Sequence, residues 1–186
     1  MIFMVIKSML LLIALFEDCT CKRQWEYEPI SIVAQTSDRS KLNLEAEVVR
    51  VKRGEYAFTG VLYWNYDADE TTLVECNAYR SNTGEEADYR RLPLNIPKQT
   101  FKQYLDAFYT TTVFLNTRNC SGLPHPDNVW PWAKQTYRFE NCGAAADGMP
   151  DLMPEGYYKI LFLVTGEVVW NLTTIVKVKT KIDLFG

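Results

Sequence analysis

The stretch PEGYYKILFLVTGEVVWNLTTIVKVKTK, residues 154–181, contains two strand-like runs that meet at a turn around Thr165 and Gly166. In the second run apolar and polar side chains alternate, which is the period expected of a strand with one buried face. Even positions from Val168 onwards are mostly apolar, whereas the odd positions carry Asn171 and several lysines. The pattern predicts two strands joined by a turn, the second with its even face on a core.

The first run, residues 157–164, is apolar on both faces. One face holds Tyr157, Leu161 and Leu163, and the other holds Tyr158, Ile160, Phe162 and Val164. One of these faces is expected to pack inside a core. The other must lie against another element, a partner or a ligand, because a large exposed apolar face favours aggregation.

Upstream runs predict further strands over residues 25–35, 42–52, 56–66, 71–80 and 136–140. Pro29 in the first run suits an edge strand or a bulge. In the second run the apolar phase changes, which predicts a β-bulge near Val48 and Val49. Gly54 marks the turn between the second and third runs.

One segment has helical spacing. After Pro97, residues 98–109 place four apolar side chains on one helical face, Phe101, Tyr104, Leu105 and Phe108. Seven or eight antiparallel strands with one short amphipathic helix and frequent turns predict an all-β chain, an immunoglobulin-like β-sandwich or β-cup.

Residues 1–21 have the pattern of a signal peptide. Lys7 precedes an apolar run that is shorter than the roughly 20 residues of a membrane helix. Small residues favour cleavage after Cys21; cleavage after Cys19, an uncleaved anchor and a buried first strand are the alternatives. We therefore expect a secreted, extracellular domain over residues 22–186, without stable membrane insertion after cleavage.

Three cysteines remain after such cleavage. Cys120 and Cys142 form the favoured disulfide, closing a loop of about twenty residues for roughly 3 kcal/mol of stability, although pairings with Cys76 stay open. Two sequons predict glycosylation in a secreted protein. Asn171 lies on the polar face of its strand, whereas Asn119 is the weaker site because Cys120 follows it.

Composition and motifs argue against several functions. The net charge of −3 and the scarcity of basic runs give no support to nucleic-acid binding. His125, the one histidine, lies between two prolines, and the carboxylate groups of residues 67–70 and 85–86 read as solvated turns. Metal-ligand spacing and nucleotide-binding glycine loops are absent from the sequence. We expect a protein that is not an enzyme and uses no cofactor or metal.

Aromatic side chains exceed what a thin sandwich of this length needs. Candidates for the lining of an apolar ligand cavity are Phe58, Leu62, Trp64, Phe101, Phe108, Trp130, Trp132, Phe162 and Trp170. These residues alone are equally compatible with a solid core and with a hollow sandwich that holds an apolar ligand.

The order of segments resembles a known family. A start of the form WEYEPISI is followed by the amphipathic helix, then WPWAKQTYRFENC at 130–142 and PEGYYKILFLVTGEVVW at 154–170. This pattern is similar to the insect chemosensory protein B (CheB) family of the DM11 group, distant relatives of the ganglioside activator and the ML lipid-recognition sandwiches. The resemblance implies a cup that binds a lipid or pheromone-like molecule in chemosensation. It also implies that the second apolar face of residues 157–164 lies under the helix or against the ligand.

The resemblance further implies that Cys120 and Cys142 match the position of a disulfide that holds a loop at the rim of the cup in activator-type proteins. Fewer cysteines than in the activators leave the remaining disulfide pattern and any glycolipid specificity open. The competing hypothesis is an interaction module with a solid core that binds a sensory-cell surface receptor or channel through an exposed patch at Trp130 and Trp132. A hydrolase would instead need His125 in a pocket beside a nucleophile.

Overall fold

The chain folds into two antiparallel sheets, as seen in a computed structural model that describes residues 23–143 and 149–181. The predicted signal peptide lies outside the described residues. The strands are β1 (Trp25–Thr36), β2 (Leu42–Lys52), β3 (Glu55–Trp64), β4 (Leu73–Ser81), β5 (Arg90–Thr100), β6 (Gln135–Cys142), β7 (Gly156–Thr165) and β8 (Trp170–Thr180). The predicted mainly β fold, a β-sandwich with one helix, is confirmed.

The two sheets are close together on one side and apart on the other. The five-stranded sheet has the order β1-β8-β7-β4-β5, and the three-stranded sheet has the order β2-β3-β6. Edge strand β1 contacts β2 and β3, which closes one side of the sandwich. On the other side the helix between β5 and β6 contacts β4, β5 and β6, so it fills the gap between the sheets.

The β7–β8 hairpin follows the predicted alternation. Phe162 pairs with Leu172 and Val164 pairs with Trp170 across the two strands. At the turn, Gly166 has φ +143°, and a Cβ there would lie 2.8 Å from the carbonyl oxygen of Thr71. A glycine is therefore needed where the turn passes the start of β4.

The helix, here named α1, spans residues 101–117, so the predicted bounds of 98–109 were wrong at both ends. It consists of Phe101–Tyr104, a π-helical stretch Leu105–Phe114 and Leu115–Thr117. It begins late because Thr100 forms a capping box: its hydroxyl accepts the Gln103 N–H at 3.2 Å, and the Gln103 side chain accepts the Thr100 N–H at 3.0 Å. The sequence does not predict its second half, because the β-branched threonines at 110–112 have low helix propensity.

The sequence pattern does not predict strand β5, because Pro93 and Pro97 interrupt it. It is an edge strand, and its pairing with β4 shifts register twice, which accommodates two residues without an N–H donor. The irregularity expected at Pro29 is confirmed, since the register of edge strand β1 shifts between Pro29 and Ser31.

The predicted bulge at Val48 and Val49 was misplaced. Strand β2 pairs with β3 without a break from Leu42 to Arg50, and the register shifts only between Arg50 and Lys52. The apolar residue Val51, at the end of the hairpin, is half exposed. The apparent change of phase therefore reflects apolar side chains on the outer face and not an extra residue in mid-strand.

The two faces of β7 have different surroundings. The even face looks inward, where Phe162 contacts the ring of Tyr104 in α1 with centroids 5.3 Å apart. The odd face, with Leu161 and Leu163, lies on the outer face of the five-stranded sheet and is partly exposed. The expectation that the helix covers this second face is thus wrong, because α1 packs on the inner face; contact of this face with a ligand stays a prediction.

The predicted disulfide joins Cys120 and Cys142, with Cα atoms 5.3 Å apart. Cys76 is the free cysteine among the described ones. Within residues 23–143 and 149–181, no helix has the length and apolar character needed to cross a membrane.

Candidate apolar ligand cavity

An apolar cavity of about 290 Å³ lies between the two sheets and α1. The three-stranded sheet contributes Leu44, Ala46, Val48, Phe58, Gly60, Leu62, Trp64 and Phe139. The five-stranded sheet contributes Pro29, Ser31, Ile32, Phe162, Trp170, Leu172 and Thr174. Helix α1 and the loop after it contribute Phe101, Tyr104, Leu105, Tyr109, Val113, Thr117, Leu123 and Trp132. The volume is close to the lower end of the range of about 300–1,000 Å³ that is typical of small-molecule sites.

Small side chains in the walls leave this space. Gly60 of β3 packs against Ala46 of β2 so closely that a Cβ on Gly60 would lie 2.7 Å from the Ala46 Cβ. On the inner face of β8, the larger residues Trp170 and Leu172 are followed by the smaller Thr174. The cavity therefore forms where short side chains on the two sheets face the same interior.

An aromatic cluster closes one end of the cavity around Trp132. Its ring centroid lies 5.6 Å from that of Trp64, 5.4 Å from Phe101 and 5.1 Å from Tyr137. These separations are in the range of favourable aromatic pairs. At the other end, Val48 and Phe58 are only partly buried, so the cavity is closed at its tryptophan end and less protected at the other.

The lining is uncharged among the described residues, and some of its polar groups form hydrogen bonds within the protein, whereas the buried Nε1–H groups of Trp132 and Trp170 have no protein partner among the described residues. The Tyr109 hydroxyl donates to the carbonyl oxygen of Pro124 at 2.6 Å, and the Thr117 hydroxyl donates to that of Val113 at 2.8 Å. Burial raises the pKa values of Tyr104 and Tyr109, which keeps both phenols neutral at physiological pH. Such a surface suits an apolar chain or ring and offers few groups to orient a polar ligand.

Seven of the nine candidate residues line this cavity. Phe108 and Trp130 do not; they are partly buried and pack against the core cluster. The sequence analysis missed the lining contributed by β2 and by the second half of α1, such as Ala46 and Val113. The period-two pattern of Leu44, Ala46 and Val48 could have identified the β2 wall, whereas the β-branched run in α1 gave no helical signal.

Cys76 of β4 lies beside this core, paired with Phe162 in the register of β4 and β7. Burial raises the pKa of its thiol to about 11. The thiolate is the reactive form of cysteine, so burial keeps Cys76 as the unreactive, protonated thiol.

In protein lacking residues 1–21, we expect native Cys76 to react with iodoacetamide about 100-fold more slowly than the urea-unfolded chain, because the raised pKa lowers the thiolate fraction by about two powers of ten. Mass spectrometry of timed samples measures the rate, with Cys76→Ala as the background control. Native and unfolded rates within about threefold of each other would contradict this assignment of burial.

The remaining candidates lie at the surface. His125 is exposed in its loop, with Nδ1 3.2 Å from an Asp127 carboxylate oxygen. Asn119 is exposed, and Asn171 lies on the outer face of the five-stranded sheet, where its amide donates to the Gln35 side chain at 3.3 Å. Both asparagines remain predicted glycosylation sites.

Comparison with known proteins gives one family match. No curated protein matches the chain. Residues 74–160, which run from the start of β4 into β7 and include α1 and the disulfide, match a family model described as a protein of unknown function, DUF1091.

Proposed function

We propose that this is a secreted, non-catalytic binding protein for a hydrophobic small molecule, a lipid or a pheromone-like compound. The observation that carries the proposal is the uncharged cavity of about 290 Å³ between the two sheets and α1. A solid-core interaction module would lack such a space. It would also expose both loop tryptophans, whereas Trp132 is buried and Trp130 partly so.

Apolar contact in the cavity would supply most of the binding free energy. Burial of a hydrocarbon chain yields roughly 25 cal/mol per Å² of apolar surface removed from water. A chain that buries about 350 Å² would therefore gain close to 9 kcal/mol before the costs of association, compared with about 8 kcal/mol for micromolar binding. Because association itself costs several kcal/mol, burial of this size alone supports binding weaker than micromolar, and micromolar affinity needs a longer buried chain or a further contact.

A role in chemosensation is supported by the resemblance to the CheB group. Secretion is supported by the signal-like residues 1–21 and by the Cys120–Cys142 disulfide, a bond that persists in oxidising compartments. A secreted carrier would take its ligand from an aqueous extracellular phase in which that ligand is poorly soluble.

Native mass spectrometry of the protein secreted from insect cells tests the proposal, followed by solvent extraction of what co-purifies. We expect a discrete extra mass that denaturation releases as a lipid or other apolar compound. An apo mass that stays unchanged after incubation with fatty acids, long-chain alcohols, hydrocarbons and glycolipids would contradict it. Glycans are recognised separately because enzymatic deglycosylation removes them and denaturation does not.

A further inference from the structure

A second cavity, the basic cavity, lies next to the less protected end of the apolar one. It has a volume of about 460 Å³ and is bordered by the first residues of β1, the β2–β3 turn and the end of β8. Its lining contains five basic side chains, Arg23, Lys52, Arg53, Lys179 and Lys181, and three acidic ones, Glu26, Glu28 and Glu55. The chain as a whole carries a net charge of −3, so this local excess of positive charge runs against the protein's overall balance.

The two cavities adjoin at Pro29, which lines both. On β3 the change from one to the other takes two residues: Tyr56 lines the basic cavity and Phe58 lines the apolar one. The β1 register shift between Pro29 and Ser31 lies at the same boundary. An elongated molecule in the apolar cavity would therefore have one end next to the basic cavity.

Part of the positive charge in the basic cavity is not neutralised by neighbours. Lys179 pairs with Glu28, and Lys52 pairs with Glu55 at 2.6 Å. The exposed side chains of Arg53 and Lys181 form no ion pair with any described residue. Among the described residues, two cations thus remain outside ion pairs, against one lining carboxylate, Glu26, so a negatively charged group at the rim would be attracted and would keep part of its hydration.

We propose that the ligand is a single-chain lipid with an anionic head, whose chain fills the apolar cavity and whose carboxylate or phosphate lies in the basic cavity near Arg53 and Lys181. This inference rests on the proposed function and adds a head-group specificity to it. An exposed ion pair is worth up to about 1 kcal/mol. Two such pairs predict a preference of about five- to tenfold for an anionic lipid over its neutral counterpart.

Titration of tryptophan fluorescence with matched lipids tests the inference, because Trp64, Trp132 and Trp170 all line the apolar cavity. Oleic acid is compared with oleyl alcohol, and oleoyl lysophosphatidic acid with monoolein, at low and high salt. The proteins are the wild type, the double variant Arg53→Gln/Lys181→Gln and a control double variant Lys98→Gln/Arg118→Gln. Both control positions are exposed and line neither cavity.

We expect at least one anionic lipid to bind about five- to tenfold more tightly than its neutral counterpart, with the preference decreasing at high salt. Whether the acid or the phosphate shows the larger preference identifies the head. The Arg53/Lys181 variant should lose the preference and keep the wild-type affinity for the neutral lipid, and the control variant should behave as the wild type. Equal binding of anionic and neutral lipids, or equal losses in both variants, overturns the head-group inference alone. Absence of binding by all four lipids overturns the proposed function with it.

Discussion

Thr174→Trp is expected to weaken binding of long-chain lipids by about 100-fold. Thr174 lies on the inner face of β8 in the wall of the apolar cavity, so an indole at this position would occupy the space that a ligand chain needs. Loss of about 100 Å² of ligand burial at roughly 25 cal/mol per Å² corresponds to about 2.5 kcal/mol, which is close to two powers of ten in affinity. Isothermal titration with the lipid that co-purifies with the wild type measures the change.

The adjacent residue supplies a matched control. Ile175 belongs to the same strand but lies on the outer face of the five-stranded sheet, so Ile175→Trp adds an indole without entering the cavity. We expect this variant to bind within about twofold of the wild type, and thermal unfolding of both variants verifies that they fold. Equal loss of affinity in the two variants, or unchanged affinity in Thr174→Trp, would show that the ligand does not occupy this cavity.

Trp132→Ala is expected to lower the free energy of unfolding by about 3–5 kcal/mol, the usual loss for a buried tryptophan replaced by alanine. Trp132 is 7% exposed and contacts four other rings: Trp64, Phe101, Tyr109 and Tyr137. Its truncation would join the apolar cavity to a new void among these rings. Urea unfolding followed by circular dichroism gives the difference.

Two further substitutions separate the role of the ring from that of the loop. Trp132→Phe should cost much less than the alanine variant, because the buried Trp132 Nε1–H has no protein hydrogen-bond partner among the described residues and its loss breaks no bond. Trp130→Ala, in the same loop but only partly buried, should cost about 1–2 kcal/mol. A loss for Trp130→Ala as large as that for Trp132→Ala would contradict the assignment of Trp132 as the centre of the cluster.

The sequence predicts the fold where a local pattern decides the structure. Strand β8 is buried on one face only, so its alternation predicts which side chains lie inside, and Trp170 and Leu172 are found there. The sequence pattern does not predict which face is buried where packing against neighbouring elements determines it. Residues 157–164 are apolar on both faces, and only the position of α1 determines that the face with Phe162 is the inner one.

The cavity itself could be anticipated only in part. Aromatic residues such as Phe58 and Trp64 stand out in the sequence, and the structure places them in the lining. The empty volume depends instead on short side chains that are far apart in sequence, such as Ala46 and Thr174. Whether aromatic residues form a solid core or surround a space is a property of the distance between sheets, which a single strand pattern does not contain.

The close contact of Gly60 with Ala46 has a consequence for how such a protein can diversify. Because the backbone of β2 leaves no room for a Cβ at Gly60, natural selection should hold this position to glycine in any chain that keeps the same separation of β2 and β3. Thr174, in the opposite wall, borders the cavity itself, so a change in the size of its side chain alters mainly the empty space. Duplicated genes could therefore acquire shorter or longer ligands through single substitutions at Thr174, while the scaffold that opens the cavity stays constant.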